Sequence, residues 1–123
     1  MSNISKQKIW WDEKEKIARA KAFDIIDEGT AEMILEMASR IGEEHGPGVD
    51  WIIDLSELTR ATAKARKILA EVTAHPSIRK YALVGASIFL RTVANFIIAA
   101  SGQKNARHFV TEDEAMAWIR KGK

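Results

Sequence analysis

The sequence predicts a single α/β domain: an N-terminal β-hairpin, then alternating helices and mostly parallel strands, giving a sheet of four or five strands packed with about four helices. Two observations carry that class. The short apolar runs Trp51-Ile52-Ile53-Asp54-Leu55 and Tyr81-Ala82-Leu83-Val84-Gly85 are bounded by turn signals, the mark of strands buried on both faces. Stretches of helical periodicity lie before, between and after them. The composition agrees, because 123 residues with 46% apolar and 29% charged side chains bury one core without staples. The domain is expected over 8–121, with residues 1–7 a flexible polar start.

Lys8–Asp12 carries β-prone aromatic and branched residues, and the charged run 12–16 reads as a turn. In 17–24, Ile17, Arg19, Lys21 and Phe23 alternate with three alanines, which favours a second hairpin strand. Alanine is a poor strand former, so an amphipathic helix is the rival reading. Thr30 is placed to cap a helix over 31–45, where Met33, Ile34, Met37, Ala38 and Ile41 recur at helical spacing before Gly46-Pro47-Gly48 ends it. The strand 51–55 follows. A second helix from Ala61 to Thr73 offers Ala65, Ile68, Leu69 and Val72 as its inner stripe. After strand 81–85, Ser87 caps a third helix, Ile88–Ser101, closed by Gly102. Arg107–Val110 is a last short strand. Thr111 and Glu114 form a capping box for a final helix through Ala115, Trp118 and Ile119.

Several function classes recede on composition. The chain has no cysteine, so a disulfide framework, a thiolate metal site and a cysteine nucleophile are excluded. His45, His75 and His108 lack metal-ligand spacing, and Asp54 and Ser56 lie in no Gly-x-Ser-x-Gly elbow, so neither a metal site nor a cofactor is expected. No apolar run follows a basic start, which points to a cytoplasmic home. Net charge is +2, yet residues 1–60 hold eight Lys/Arg against thirteen Asp/Glu, and residues 61–123 hold eleven against four. Such asymmetry signals an anionic partner or, as the favoured reading, solvated faces that attract on folding. Arg60, Lys64, Arg66 and Lys67, with Lys121 and Lys123, can track a phosphate backbone, but no aromatic is interleaved with them and nucleic acid is disfavoured.

Asp54-Leu55-Ser56-Glu57-Leu58-Thr59 at a strand end, Tyr81–Gly85, and the closing Phe109-Val110-Thr111-Glu112-Asp113-Glu114-Ala115-Met116-Ala117-Trp118-Ile119 together resemble the STAS superfamily. That superfamily holds the anti-sigma-factor antagonists and cytoplasmic domains of sulphate transporters. The closing pattern is most similar to its stand-alone STAS/SEC14-like branch. The resemblance implies a sheet and helices used to bind a partner protein. In the antagonists a serine in an Asp-Ser-Ser-Gly motif, at the start of the helix after the Asp-Leu-Ser strand, is phosphorylated and releases the partner. Here Thr62-Ala63-Lys64-Ala65 stands in that place, and Lys64 fills the acceptor slot. The phosphoserine switch is therefore not carried over, and Thr59 and Thr62 are the hydroxyls left nearby.

Two candidate sites follow. The first is the edge where parallel strands end: Thr59, Arg60 and Thr62 after strand 51–55, Ser87 and Arg91 after strand 81–85, with Lys64. Two helix N-termini and these cations can hold an anion or contact a partner, or the hydroxyls are plain caps and the arginines solvated. The second is helix 88–101, apolar nearly all round, with Phe89, Val93, Phe96 and Ile97. Burial between sheet and neighbouring helices is its first reading, a homodimer interface the second and a lipid-like ligand pocket the third. The sequence thus predicts a non-enzymatic regulatory interaction module with a protein partner, through helix 61–74 and the strand-end loops. A carrier or sensor of a small apolar or anionic ligand is the alternative.

Overall fold

The computed structural model describes residues 7–102 and 104–121. Most of the predicted flexible start, residues 1–6, lies outside them, as does Lys123. Nine elements follow one another: β1 (Lys8–Asp12), β2 (Ile17–Ile26), α1 (Glu28–His45), β3 (Val49–Ala61), α2 (Ala63–Thr73), β4 (Ile78–Val84), α3 (Ile88–Ser101), β5 (Ala106–Phe109) and α4 (Glu112–Arg120). The five strands stand in sequence order, β1 antiparallel to β2 and every other pair parallel. The predicted architecture is present.

Side-chain alternation divides the sheet into two faces. Ala18, Ala20, Ala22, Trp51, Ile53, Leu55, Tyr81 and Leu83 meet α1, α2 and α3 in the main core. Ile17, Ile52, Ala82 and Val84 meet Ala115, Met116 and Ile119 of α4 on the other face. Each parallel connection thus carries its helix on one face, and only the chain's last helix crosses to the other.

The 17–24 segment is strand, not the rival helix, and it runs on to Ile26. Its alanines are buried because the main core already holds Trp51 and Tyr81, the largest fully buried side chains. Small residues on β2 leave room for them. Propensity yields here to packing across the sheet.

Three expectations are corrected. Thr30 is not the cap of α1: Asp27 is, its carboxylate accepting from the Thr30 amide at 2.9 Å. Because β2 extends to Ile26, the helix opens at Glu28 and Thr30 is buried in its first turn. Strand 51–55 is in fact the thirteen-residue β3, so Asp54–Thr59 is strand rather than strand end. It is kept extended by pairing with β2 as far as Ala61, across two register shifts, opposite Lys21–Phe23 and Asp24–Ile25, at each of which β3 carries one extra residue. Asp24 sits there at φ 56°. Finally, α3 is not buried between sheet and helices. It sits on the main core with Leu90, Val93, Ala94 and Ile97, and presents its opposite side outward.

Gly85 joins β4 to α3. A Cβ at Gly85 would lie 2.8 Å from Leu90 Cδ1 and 2.9 Å from Leu90 Cβ, so only glycine lets the first turn of α3 sit this close to the strand.

Candidate functional site

The carboxyl-terminal ends of β3 and β4 set the start of α2 and of α3. At α2, Thr62 Oγ1 accepts from the Ala65 amide at 3.1 Å, and the Thr62 amide donates to Ile26 O at 3.0 Å. At α3, Ser87 Oγ accepts from the Leu90 amide at 3.1 Å. Both hydroxyls therefore act as caps. Thr59 Oγ1 donates to Asp24 O at 2.8 Å and ties β3 to the irregular end of β2.

The cations are distributed unevenly. Arg60 is exposed on β3 and Arg91 on α3, and neither has a carboxylate partner among the described residues. Lys64 is exposed one residue into α2, with Glu28 Oε2 3.8 Å from its ammonium, a surface pair worth little. Arg66 differs: it donates to Ala61 O at 3.1 Å and lays its guanidinium over the Phe96 ring, 4.8 Å from the centroid. Sequence reasoning placed Arg66 only on a charged stripe. The contact joins residues thirty apart, and no local pattern signals it.

The four apolar candidates of α3 separate into two pairs. Val93 and Ile97 point into the core, whereas Phe89 is 42% and Phe96 39% exposed. Ile88, 84% exposed, extends the outer pair. Among the exposed residues, α3 thus contributes Ile88, Phe89, Phe96 and Arg91 and α2 contributes Lys64, Lys67 and Glu71, with Arg66 over Phe96 joining the two helices. The core beneath the sheet holds a separate cavity of about 20 Å³, lined by Ala20, Ala22, Trp51, Tyr81 and Ile97 among others. That is room for one water rather than for a lipid-like molecule. The Trp51 indole N–H is buried with no hydrogen-bond partner among the described residues, and burial pushes the Tyr81 phenol well above its ordinary range. No group of three His, Asp or Glu side chains able to hold a metal occurs among the described residues.

With this geometry established, comparison gives the family. The SpoIIAA-like family model matches residues 17–120, most of the chain and every element from β2 to α4. The chain belongs to the SpoIIAA-like family.

Solved structures agree on the fold of this SpoIIAA-like chain. A protein of the DUF3478 family with a SpoIIAA-like fold, from Shewanella loihica PV-4, superposes with a TM-score of 0.65 at 15% identity, over 92% of this chain and 91% of that one. An anti-sigma factor antagonist from Mycobacterium paratuberculosis gives 0.65 at 18% identity, over 93% and 94%. The anti-sigma factor antagonist SpoIIAA in its unphosphorylated form gives 0.61 at 17%, over 94% and 98%. Identities this low speak for the fold alone. No curated protein matches the chain by sequence. Among the described residues no helix is long and apolar enough to cross a membrane.

Proposed function

We propose that this chain is a non-enzymatic regulatory module that binds a protein partner through the outer surface of α2 and α3 and the strand ends beside it. The observation that carries this reading is the exposed pair Phe89 and Phe96 on one flank of α3, with Arg66 of α2 stacked on Phe96. Large apolar side chains that stay solvent-exposed together mark an interaction surface. The cations favour a partner with an acidic rim. Membership of a family named after SpoIIAA supports the same class. Lys64 holds a fixed positive charge at the start of α2, where the antagonists resembled place a phosphoserine, so association here is not released by phosphorylation at that position. The module acts in the cytoplasm.

The decisive experiment is native mass spectrometry of the protein gently purified from its own cells, as wild type and as the variants Phe96→Asp and Lys64→Glu. A bound partner chain that both variants lose, with melting temperatures close to wild type, is the expected result. A partner retained by both variants overturns this surface. Added phosphate on Thr59 or Thr62 would restore a switch in another form. The second reading, carriage of a small apolar ligand, draws on the unpartnered Trp51 N–H beside the core cavity. A stoichiometric non-covalent small mass, with a melting temperature that rises on adding that molecule, would favour it.

A further inference from the structure

β1 is an edge strand, paired on one side to β2 and unpaired on the other among the described residues. Edges of this kind are normally blunted by charge, a bulge or a covering segment. β1 runs regularly in register with β2 through all five residues, without a bulge. Its Trp10 is 43% exposed on the outer sheet face, between Lys8 and Asp12. On the opposite face, beside the same edge, Ile9 of β1 and Met33, Ile34 and Met37 of α1 line a shallow recess. An open edge, an exposed indole and an apolar recess thus converge at the end of the sheet away from α3.

The sequence of β1 decides what fits this edge. Laid antiparallel against itself and centred on Trp10, Lys-Ile-Trp-Trp-Asp sets Lys8 opposite the partner's Asp12 and Trp10 opposite the partner's Trp10 on one face. On the other face Ile9 meets the partner's Trp11. Every facing pair is complementary in charge or apolar character. Asp12 is already held by Arg19 at 2.8 Å and by the Glu15 amide, so its carboxylate is oriented, with lone pairs left for an incoming ammonium. The other edge fails the same test: β5 laid against itself about Arg107 sets that cation opposite its own copy, and laid about His108 it sets Arg107 opposite the partner's Phe109.

We propose that β1 pairs antiparallel with β1 of a second copy, joining two five-stranded sheets into one across a two-fold axis at Trp10, with Met33 and Met37 of each copy covering the junction. Such an isologous pairing uses the Lys8–Asp12 and Ile9–Trp11 contacts twice and the Trp10 contact once on the axis, and it closes on itself, so it ends at a dimer. Methionines adapt to the opposing surface. This contact leaves the α2–α3 surface open, so it does not depend on the module reading.

The test is sedimentation of the full chain over a wide concentration range, with Lys8→Glu and Asp12→Lys as variants and circular dichroism as the check on folding. Wild type is expected to pass reversibly from monomer to dimer. Lys8→Glu sets like charges opposite each other twice and should weaken the dimer at least about tenfold. Mixing Lys8→Glu with Asp12→Lys restores opposite charges at both positions, and should give a heterodimer tighter than either variant alone. If Asp12→Lys does not fold, hydrogen exchange of wild type decides: backbone amides of β1 should gain protection as concentration rises. A chain that stays monomeric throughout overturns the proposal. So does a dimer insensitive to Lys8→Glu, or one lost instead in Phe96→Asp.

Discussion

Gly85 shows how one missing side chain sets the height of a helix over the sheet. The clash that a Cβ would make is with Leu90 Cβ as well as with the flexible end of that side chain, so rotation alone does not relieve it. Gly85→Ala is expected to cost about 1–3 kcal/mol, read from the denaturation midpoint. Leu90→Ala removes a core side chain and costs about 2–5 kcal/mol by itself. The double variant should cost less than the two together, because the truncated Leu90 makes room for the new methyl. Strict additivity would mean that the two positions do not oppose each other. Tyr81 belongs to the same scale. Burial raises its phenol pKa, so the stability that a neutral phenol contributes is complete below the unfolded-state value and is lost as pH rises toward the folded one. Tyr81→Phe should flatten the alkaline limb of a stability–pH curve.

Among the elements, α1 illustrates the separation of existence from boundary. Its periodic Met33, Ile34, Met37, Ala38 and Ile41 announce a helix, but its start depends on where β2 stops. The pairing of Ile26 with Ala61 sets that point. Asp27 then caps, and the bond it accepts from the Thr30 amide lowers its carboxyl pKa. A depressed folded value means a contribution that is complete above the unfolded pKa and lost as pH falls through the folded one. Asp27→Asn keeps an acceptor without a charge and should flatten the acid limb of the melting temperature. Asp27→Ala should lower it at every pH from neutral to mildly acidic. α3 presents the reverse case. Its bounds, Ile88 to Ser101 between Ser87 and Gly102, were legible from caps alone. What was not legible is which of its apolar residues face inward, because an all-round apolar helix has no stripe to read.

For the whole molecule, the family-level architecture was readable from two buried runs, the alternation around them and the closing Thr111–Ile119 segment. The order of five neighbouring strands follows from that alternation, since short connections place successive parallel strands side by side. The interior of β2 shows the limit. Ala18, Ala20 and Ala22 carry weak strand preference, and their placement depends on Trp51 and Tyr81 from strands distant in sequence. Ala20→Leu should therefore overpack the narrow cavity beside Trp51 and cost about 1–3 kcal/mol, measured by chemical denaturation. The candidate site was half legible. Ser87 and Thr62 were visible as caps, while Arg66 over Phe96 and the outward turn of Phe89 were not.

The division has a physical cause. Local chemistry is carried by neighbours along the chain, so the sequence by itself determined the helices after β2 and the buried strands. Long-range pairing is carried by residues far apart. Only the tertiary structure decided that β3 continues past Leu55 to Ala61, that α3 rests on the core with one side outward, and that β1 is the last strand of the sheet among the described residues, with Trp10 exposed. Each of these depends on what lies across the sheet, and no window of sequence contains it.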